Sequence, residues 1–309
     1  MSALLLVRTP FQAWLAQKVL EKECIKSFDI VYFTQNNSEE DRYYFEQLSS
    51  ISDNSEYIFV TPQRFDILSH IIFRLKARKW YSLKKYNHVI YASINALVPN
   101  SLISKHNSSE LITFDDGAAN VVNSGIFHDE DNNIRVAIYR TLLRSRPLKE
   151  IKKRIVRHYT LYPNNANIVE REKLVFLESW ENNQKISSIK TKTYFIGSPF
   201  EEVMNPNQVI RMKGYVKSLD IDAYVTHPRE NNALDIGVPI LSKSGRIAED
   251  AIISDAGDRP IRLVGWFSTV MLNLGAVCES RIVLLPKDSP KTPELFELSK
   301  KVGCTPILI

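Results

Sequence analysis

Short apolar runs alternate with helix-length amphipathic stretches along the chain, and this alternation predicts parallel β-sheets covered by helices. At the start, Leu4–Val7 is predicted to be a strand and Phe11–Cys24 a helix. The other elements predicted in the first half are strands at Asp29–Phe33, Tyr57–Val60, His88–Tyr91 and Leu111–Phe114 and a helix near Phe65–Ala77. The first half is therefore predicted to form one Rossmann-like unit.

The alternation changes between about residues 126 and 190. Arg140–Arg157 is strongly basic and is predicted to be helical, with an interruption at Pro147, and the polar segment 181–192 is predicted to be a linker. A second α/β unit follows, and its predicted strands are Thr193–Ile196, Ala223–Thr226, Ile261–Val264 and Ile282–Leu285. We therefore expect two Rossmann-like domains, residues 1–190 and 191–309, facing each other across a cleft.

Composition narrows the class of protein. The chain has 309 residues, 44% of them hydrophobic and 24% charged, which is typical of a globular protein with a substantial core. It lacks an apolar run of membrane-spanning length, and we interpret the opening MSALLLV as a buried strand because it is too short for a signal peptide. Three scattered cysteines argue against a disulfide framework or zinc site and fit a reducing compartment. The net charge of +5 suggests an anionic ligand or an anionic surface. The sequence contains no nucleic-acid-binding motif, so nucleic acid is not the expected ligand.

Chemically useful side chains follow several predicted strands, where open α/β sheets bind ligands. Asp115, Asp116 and Gly117 come directly after Leu111–Phe114. Two neighbouring carboxylates can supply a general base, because like charges raise the pKa of one of them. Since Asp-Gly is also a common turn, a purely structural role is the alternative.

Two further strings follow strands of the second unit. Gly197 and Ser198 could bring backbone close to a ligand and cap the next helix, or they could form an ordinary strand–turn–helix junction. His227 and Arg229 could hold a phosphate and donate a proton to it. The alternative for the histidine is a surface position stacked on Pro228.

A last string, Gly265 to Thr269, ends a predicted strand and opens an apolar helix. The hydroxyls of Ser268 and Thr269, with the N–H groups of a helix N-terminus, can bind a phosphate, and an N-cap without a ligand is the alternative. The chain contains neither GxxxxGK[ST] nor GxGxxG, which argues against P-loop and dinucleotide-binding proteins.

In combination, these strings resemble the bacterial lipooligosaccharide sialyltransferases of glycosyltransferase family 52. The resemblance covers most of the chain, in the family's order. It is carried by TPFQ (9–12), IYASINALVPNSLI (90–103), TFDDGAANVVNSG (113–125), GSP (197–199), HPR (227–229), ED (249–250) and FST (267–269).

The resemblance implies an α/β protein of GT-B fold, with an acceptor-binding N-terminal domain and a CMP-binding C-terminal domain. It implies inverting transfer of sialic acid from CMP-sialic acid to the terminal galactose of a lipooligosaccharide, in α-2,3 linkage, without a metal or cofactor. It also implies a homodimer in which the irregular helical segment at about 126–190 is exchanged. We further expect the protein in the bacterial cytoplasm, in peripheral contact with the inner face of the inner membrane, and not on nucleic acid.

The resemblance also implies roles for individual residues. His227 is expected to contact the CMP phosphate and to act as the general acid. Ser268 and Thr269 are expected on the same phosphate, and Glu249 on the ribose. The remaining residues expected on the CMP side are Gly197, Ser198, Pro228, Arg229, Gly265 and Phe267, and those expected on the acceptor side are Thr9, Gln12, Gly117 and Asn120.

The general base is left open by one departure from the family pattern. Where the family has an aspartate after Gly-Ser-Pro, this chain has Phe200, followed by Glu201. In related sialyltransferase families the base is the first carboxylate of an acidic pair before glycine, which Asp115 matches. We favour Asp115 over Glu201, because Asp115 belongs to the acceptor-binding domain, and we assign Asp116 to the turn.

Two other functions are compatible with these residues. One is a related glycosyltransferase that uses another nucleotide sugar, such as a glucose donor, and the other is a non-catalytic nucleotide-binding α/β protein.

Asp220–Asp222 resembles a D-x-D metal motif but precedes its strand, so we interpret it as a solvated helix end. For Arg140–Arg157 we expect binding of an anionic membrane or a phosphorylated acceptor, with a solvated helix face as the alternative.

Overall fold

The fold is described from a computed structural model, in which the described residues are 2–60, 67–82, 85–121, 127, 134–163, 165, 167–180, 190–230 and 232–309. The chain divides into two compact units, Met1–Leu177 and Glu178–Ile309. The sequence placed the domain boundary at residue 190, and residues 181–189 of the predicted linker lie outside the described residues. In the described part of the chain, no helix is long and apolar enough to cross a membrane.

Unit 1 is built on a parallel sheet. Its strands are β1 Ser2–Val7, β2 Ser27–Thr34, β3 Asn54–Phe59, β4 His88–Tyr91, β5 Glu110–Phe114, β6 Ile155–Thr160 and β7 Leu174–Phe176. Its helices are α1 Pro10–Lys22, α2 Glu39–Ile51, α3 Ile67–Lys76, α4 Leu97–Lys105, α5 Ile134–Leu143 and α6 Leu148–Arg154. The strand order is β3-β2-β1-β4-β5-β6-β7. Every neighbouring pair is parallel, as the apolar runs predicted.

One face of this sheet is covered by α3, α4 and α6. Alternate residues of the strands, such as Leu4 and Leu6 on β1, point to the same side and belong to one buried cluster. The same cluster contains Phe73 of α3, Leu102 of α4 and Ile151 of α6. Helix α5 lies against α4 in a smaller cluster. These helices therefore form one layer on one face of the sheet.

The middle of the chain differs from the sequence prediction. We expected an irregular helical region through Arg157, but α6 ends at Arg154 and Ile155–Thr160 is strand β6, parallel to β5. The β-branched Ile155, Val156 and Thr160 favour a strand, and pairing with β5 stabilises it. The described part of 126–190 thus adds strands to the sheet of its own chain. The start of the predicted helix at Phe65 lies outside the described residues.

Unit 2 contains a second parallel sheet. Its strands are β8 Lys192–Ile196, β9 Ala223–Val225, β10 Ile261–Gly265, β11 Cys278–Leu285 and β12 Thr305–Leu308. Its helices are α7 Phe200–Val203, α8 Pro206–Lys217, α9 Ala248–Ala256, α10 Thr269–Asn273 and α11 Thr292–Lys301. The strand order is β12-β11-β10-β8-β9, so the central β8 and β10 end side by side. Cys24 of unit 1 is exposed, whereas Cys278 and Cys304 of unit 2 are half-buried and buried, and all three are free thiols.

Candidate active site

In unit 1, a hydrogen-bonded network at the carboxyl ends of β1, β4 and β5 holds Asp116. Gln12, in the first turn of α1, accepts a hydrogen bond from the Arg8 backbone N–H at 2.9 Å and donates to Ser93 Oγ at 2.8 Å. Its Nε2 also donates to one oxygen of Asp116, and Ser93 Oγ donates to the other at 2.8 Å. Gln12 is itself positioned by Thr9, whose Oγ1 caps α1 by accepting from the Gln12 backbone N–H. Asp116 is half-buried, unlike the neighbouring Asp115, which is buried.

Asp115 occupies a different environment. Its side chain has no exposed surface, and it accepts hydrogen bonds from the backbone N–H of Leu161 at 2.8 Å, His158 Nε2 at 3.1 Å and Asn167 Nδ2 at 3.2 Å. These contacts tie β5 to β6 and to the loop that follows it. Asp115 is thus buried and triply hydrogen-bonded, whereas the neighbouring Asp116 is half-buried, and the choice of Asp115 as the general base stays a prediction.

Gly117 and Asn120 shape the turn that carries Asp116. Gly117 has φ +76°, in the left-handed region where glycine is favoured. Asn120 Oδ1 accepts from the Asp116 backbone N–H at 2.6 Å. Both residues, expected on the acceptor side, thus act on the conformation of the acidic pair.

The sequence analysis missed Arg8 and Ser93 at this edge of the sheet. Arg8 Nη2 donates to Gln35 at 3.2 Å, its guanidinium lies 4.9 Å from the Phe33 ring centroid, and its Nε is buried without a hydrogen-bond partner among the described residues. Both residues lie just beyond a predicted strand, Leu4–Val7 for Arg8 and His88–Tyr91 for Ser93. The rule that located Asp115 would therefore have found them.

Two glycines of unit 2 are required by packing. A Cβ on Gly265 would lie 2.6 Å from the backbone oxygen of Ile196 on the neighbouring strand. A Cβ on Gly197 would lie 3.0 Å from the backbone oxygen of Val225 and would collide with the carboxylate of Glu230. Glycine is needed at both positions because neighbouring protein atoms occupy the space of a side chain. The sequence analysis had expected a different reason, the close approach of the backbone to a ligand.

His227 lies just beyond β9 with its tautomer set by the backbone. The Arg229 N–H donates to His227 Nδ1 at 3.0 Å, so in the neutral ring the proton resides on Nε2. Burial, with the nearby charges of Arg229 and Lys243, lowers the pKa of His227 to about 4. The ring is therefore neutral at pH 7 and presents one N–H donor. This arrangement does not match the proline-stacked surface histidine, because the side chain is half-buried.

The neighbours of His227 have separate contacts. Arg229 pairs with Glu202 at 2.9 Å, with both side chains about half exposed, so its guanidinium is engaged on the surface. Pro228 is exposed. Glu230 accepts from the His227 backbone N–H at 3.2 Å and from the Tyr224 hydroxyl, and burial raises its pKa.

The β10–α10 junction supplies an unpaired hydroxyl. Ser268 precedes α10 but its side chain does not cap the helix, and its Oγ is buried without a hydrogen-bond partner among the described residues. Such a group normally has a partner, so it suits a polar ligand atom. Thr269 opens the five-residue helix and is half-buried, and Phe267 is buried. The adjacent Ser198, beyond β8, is also buried.

Glu249 is a buried carboxyl at the first turn of α9. It accepts from Asn273 Nδ2 at 2.7 Å, and burial raises its pKa to about 7, with the Asn273 hydrogen bond opposing that shift. Only 3% of the residue is exposed, so its expected contact with a ribose requires an opening of the surface around α9.

The position of the family aspartate belongs to the core in this chain. Phe200 is buried and its ring stacks on Phe195, with the centroids 6.0 Å apart. Glu201 is exposed on α7 and lines a cavity of about 190 Å³ together with Glu202 and Arg229. Glu201 is therefore exposed to solvent on unit 2, whereas Phe200 is fixed in the core of that unit.

The remaining charged strings have structural partners. Asp220 pairs with Lys190 at 2.9 Å, and Asp222 accepts from the Thr193 backbone N–H, both ahead of β9 as expected. Within Arg140–Arg157, Arg154 donates to two backbone oxygens and Arg157 pairs with Glu23 at 2.7 Å. The lysines that line a cavity of about 560 Å³ beside α6 are Lys149, Lys152, Lys153 and Lys173. Over the described residues, no group of three or more histidine, cysteine or acidic side chains is arranged to hold a metal ion.

Comparisons with known proteins identify relatives over nearly the whole length of the chain. Residues 26–288 match the family model of glycosyltransferase family 52. The chain is 27% identical to the N-acetyllactosaminide alpha-2,3-sialyltransferase of Haemophilus influenzae, with 98% of each chain covered. It is 25% identical to the CMP-N-acetylneuraminate:beta-galactoside alpha-2,3-sialyltransferase of Pasteurella multocida, with 97% of each covered.

Among solved structures, the chain is similar to UGT2 of Phytolacca americana, with a TM-score of 0.51 and 11% identity over 97% of this chain and 84% of that one. It is also similar to a UDP-N-acetylglucosamine 2-epimerase, with a TM-score of 0.50 and 11% identity over 100% of this chain and 83% of that one. At such identities the similarity concerns the fold alone, and the predicted GT-B class of two Rossmann-like α/β units is confirmed.

Proposed function

The chain belongs to glycosyltransferase family 52, and from that membership we propose that it transfers sialic acid from CMP-sialic acid to a terminal galactose, in α-2,3 linkage and with inversion at the anomeric carbon. The observation that carries the proposal is the similarity, over nearly the whole length of both chains, to two proteins named as α-2,3-sialyltransferases. The strand-end residues described above supply groups suited to each half of that reaction.

On the donor side, His227 and Ser268 stabilise the departing CMP. The bond between sialic acid and phosphate breaks through an oxocarbenium-like transition state, and negative charge grows on the phosphate oxygens. The Nε2–H of the neutral His227 donates a hydrogen bond to that charge, and the Ser268 hydroxyl, which lacks a protein partner, supplies a second donor. A bound phosphate raises the pKa of the ring, because an opposite charge favours imidazolium, and so promotes proton transfer.

A nucleoside monophosphate is already a good leaving group, so we propose that the reaction needs no metal ion or cofactor.

On the acceptor side, Asp116 accepts the proton of the galactose hydroxyl. Each of its oxygens receives one hydrogen bond, from Gln12 and from Ser93, and a carboxylate oxygen can accept two. The carboxylate is thus oriented and still has lone pairs for the incoming hydroxyl. Removal of that proton lets the acceptor oxygen attack the face of the sugar opposite the phosphate, which inverts the anomeric centre.

The finer assignments belong to the same proposal. The acceptor is a lipooligosaccharide, because the resemblance identified in the sequence is to enzymes with that acceptor. The protein acts as a homodimer in the bacterial cytoplasm, in peripheral contact with the inner face of the inner membrane.

The test is a donor screen with purified protein and a small galactoside. We expect CMP release from CMP-sialic acid that persists in EDTA, and no comparable release from UDP-glucose or UDP-galactose. Turnover of a nucleoside-diphosphate sugar instead would replace the proposed donor. Activity that is lost in EDTA and restored by magnesium or manganese would contradict the metal-independent mechanism.

A further inference from the structure

Helix α3 has an apolar face directed away from its core. Phe73 is fully buried under the helix, whereas Leu68, Ile71 and Leu75 are 63%, 47% and 65% exposed. Successive residues of a helix are about 100° apart, so Leu68 and Leu75 point in nearly the same direction and Ile71 lies about 60° from Leu68. All three side chains are therefore on the side of the helix opposite Phe73. A surface helix normally presents polar side chains there. We call Leu68, Ile71 and Leu75 the α3 stripe.

Positive charges flank the α3 stripe. Arg74 and Lys76 stand on either side of it around the helix, and Arg78 follows in the next turn. Over residues 66–87 the sequence contains one acidic residue, Asp66, against six basic residues. The basic residues of that segment are Arg74, Lys76, Arg78, Lys79, Lys84 and Lys85. An exposed aliphatic stripe bordered mainly by cations is the composition of a helix that lies in the plane of a membrane interface.

We propose that α3 docks the protein on an anionic lipid bilayer, with the α3 stripe at the boundary of the acyl chains and the surrounding lysines and arginines on the lipid phosphates. Charge complementarity selects this occupant. In a symmetric dimer the same patch meets itself, and two such faces would bring like charges together. A bilayer containing acidic lipids offers both the apolar layer and the negative charge. The inference rests on the proposed function in one respect: an enzyme with a glycolipid acceptor has to reach a membrane.

Helix α5 provides a matched control. Its Ile134, Ile138 and Leu142 are 75%, 54% and 64% exposed, and their spacing also forms a stripe. In the sequence, however, the acidic triplet 129–131 ends two residues before that helix, and over residues 129–146 these three acidic residues nearly balance four arginines. The α5 stripe therefore matches the α3 stripe in exposed apolar surface but lies in a segment of much lower net positive charge, so we assign it no docking role.

The experiment compares the full-length protein with two triple variants, one with Leu68→Ser, Ile71→Ser and Leu75→Ser, and one with Ile134→Ser, Ile138→Ser and Leu142→Ser. Binding is measured by sedimentation with vesicles of phosphatidylcholine that contain about one-third phosphatidylglycerol. We expect the α3 variant to bind at least about tenfold more weakly, since three aliphatic side chains no longer enter the bilayer, and the α5 variant to bind nearly as the parent does. Lys76→Glu with Arg78→Glu should also weaken binding, and high salt should weaken binding of the parent.

Three outcomes overturn the proposal: unchanged vesicle binding by the α3 variant, equal loss in the α5 variant, or conversion of a dimer to a monomer by the α3 changes without loss of vesicle binding. Sialyl transfer to a small soluble galactoside, measured on the same preparations, should be unaffected by the α3 changes. If sialyl transfer is absent from every preparation while vesicle binding depends on α3, the proposed function fails and the docking surface stands.

Discussion

His227 is organised as a hydrogen-bond donor before any ligand arrives. Its Nδ1 accepts from the Arg229 N–H, which leaves Nε2–H as the ring's donor, and the ring is neutral because its pKa is lowered to about 4 by burial and nearby cations. Such a group has little attraction for the donor in the ground state compared with an imidazolium. In the proposed reaction, its contribution grows as charge develops on the leaving phosphate.

We expect His227→Ala to reduce kcat by about 10²–10³-fold while CMP binding falls much less, because the donor acts mainly in the transition state. Steady-state kinetics and calorimetric titration with CMP test this. Near-normal turnover would show that the histidine is not part of the chemistry.

We predict different effects for substitutions of the two neighbouring aspartates, Asp115 and Asp116. We expect Asp116→Asn to fold normally and to lose about 10²–10⁴-fold in turnover, because the change removes basicity from the accessible carboxylate. Asp115→Asn should instead lower thermal stability, since an amide cannot accept from all three donors that surround Asp115. The measurements are kcat and thermal unfolding of both variants. An active Asp116→Asn beside a stable but inactive Asp115→Asn would reverse the assignment.

Glu249 makes stability depend on pH in a known direction. Its folded-state pKa, raised to about 7 by burial, lies above the ordinary glutamate value of 4.5, so the folded protein binds the extra proton. The stability that this proton contributes is fully present below about pH 4.5 and is lost as pH rises toward 7. Glu249→Gln, which is always neutral, should therefore raise the unfolding midpoint at pH 8 much more than at pH 5. An equal shift at both values would contradict a buried, titrating carboxyl.

At the scale of elements, the short helix α7 is anchored by Phe200. This ring occupies the position of the family aspartate and stacks on Phe195 inside unit 2. Restoring the carboxylate by Phe200→Asp should therefore destabilise the protein by about 3–5 kcal/mol or more, since it removes a buried aromatic ring and buries a charge. Chemical denaturation measures the loss. A stable Phe200→Asp variant with higher turnover would show that the site can still use the family position.

The sequence predicted strands well where the strand is made of buried apolar residues. It predicted them poorly where the strand's polar side chains are satisfied by partners far away in the sequence. Strands β1, β2 and β4 are apolar on both faces and were recognised from composition alone. Strand β6 was not, because its His158 and Arg157 look solvent-exposed until their partners are known. Those partners are Asp115 for His158, 43 residues earlier, and Glu23 for Arg157, 134 residues earlier. Local periodicity carries no information on such pairs.

The same limit explains the outcome for the candidate site. Strand ends placed the acidic pair, His227 and Ser268 correctly at the edges of the two sheets. The sequence could not show that the two neighbouring carboxyls differ in burial, because that difference depends on the direction in which the turn points each side chain. Burial of the first carboxylate depends on β6, which the sequence analysis had assigned to a helix.

At the scale of the whole molecule, each unit has its own parallel sheet and hydrophobic interior. The residues for which we expect contact with CMP, His227, Glu249 and Ser268, all belong to unit 2. We therefore expect residues 178–309, expressed alone, to fold and to bind CMP, while sialyl transfer is lost because Asp116 belongs to unit 1. Circular dichroism and titration with CMP test this. A fragment that folds but does not bind CMP would mean that unit 1 supplies part of the nucleotide site.

The three free cysteines differ in exposure between the two units, so their thiols should react at different rates. Cys24 stands exposed on unit 1 and is open to alkylating reagents in the native protein. On unit 2, Cys304 is buried, and burial raises its pKa and that of Cys278, the latter to about 12, so both remain protonated and slow to react. Rapid modification at one site followed by delayed modification at the others would time the opening of unit 2 by mass spectrometry, without any introduced label.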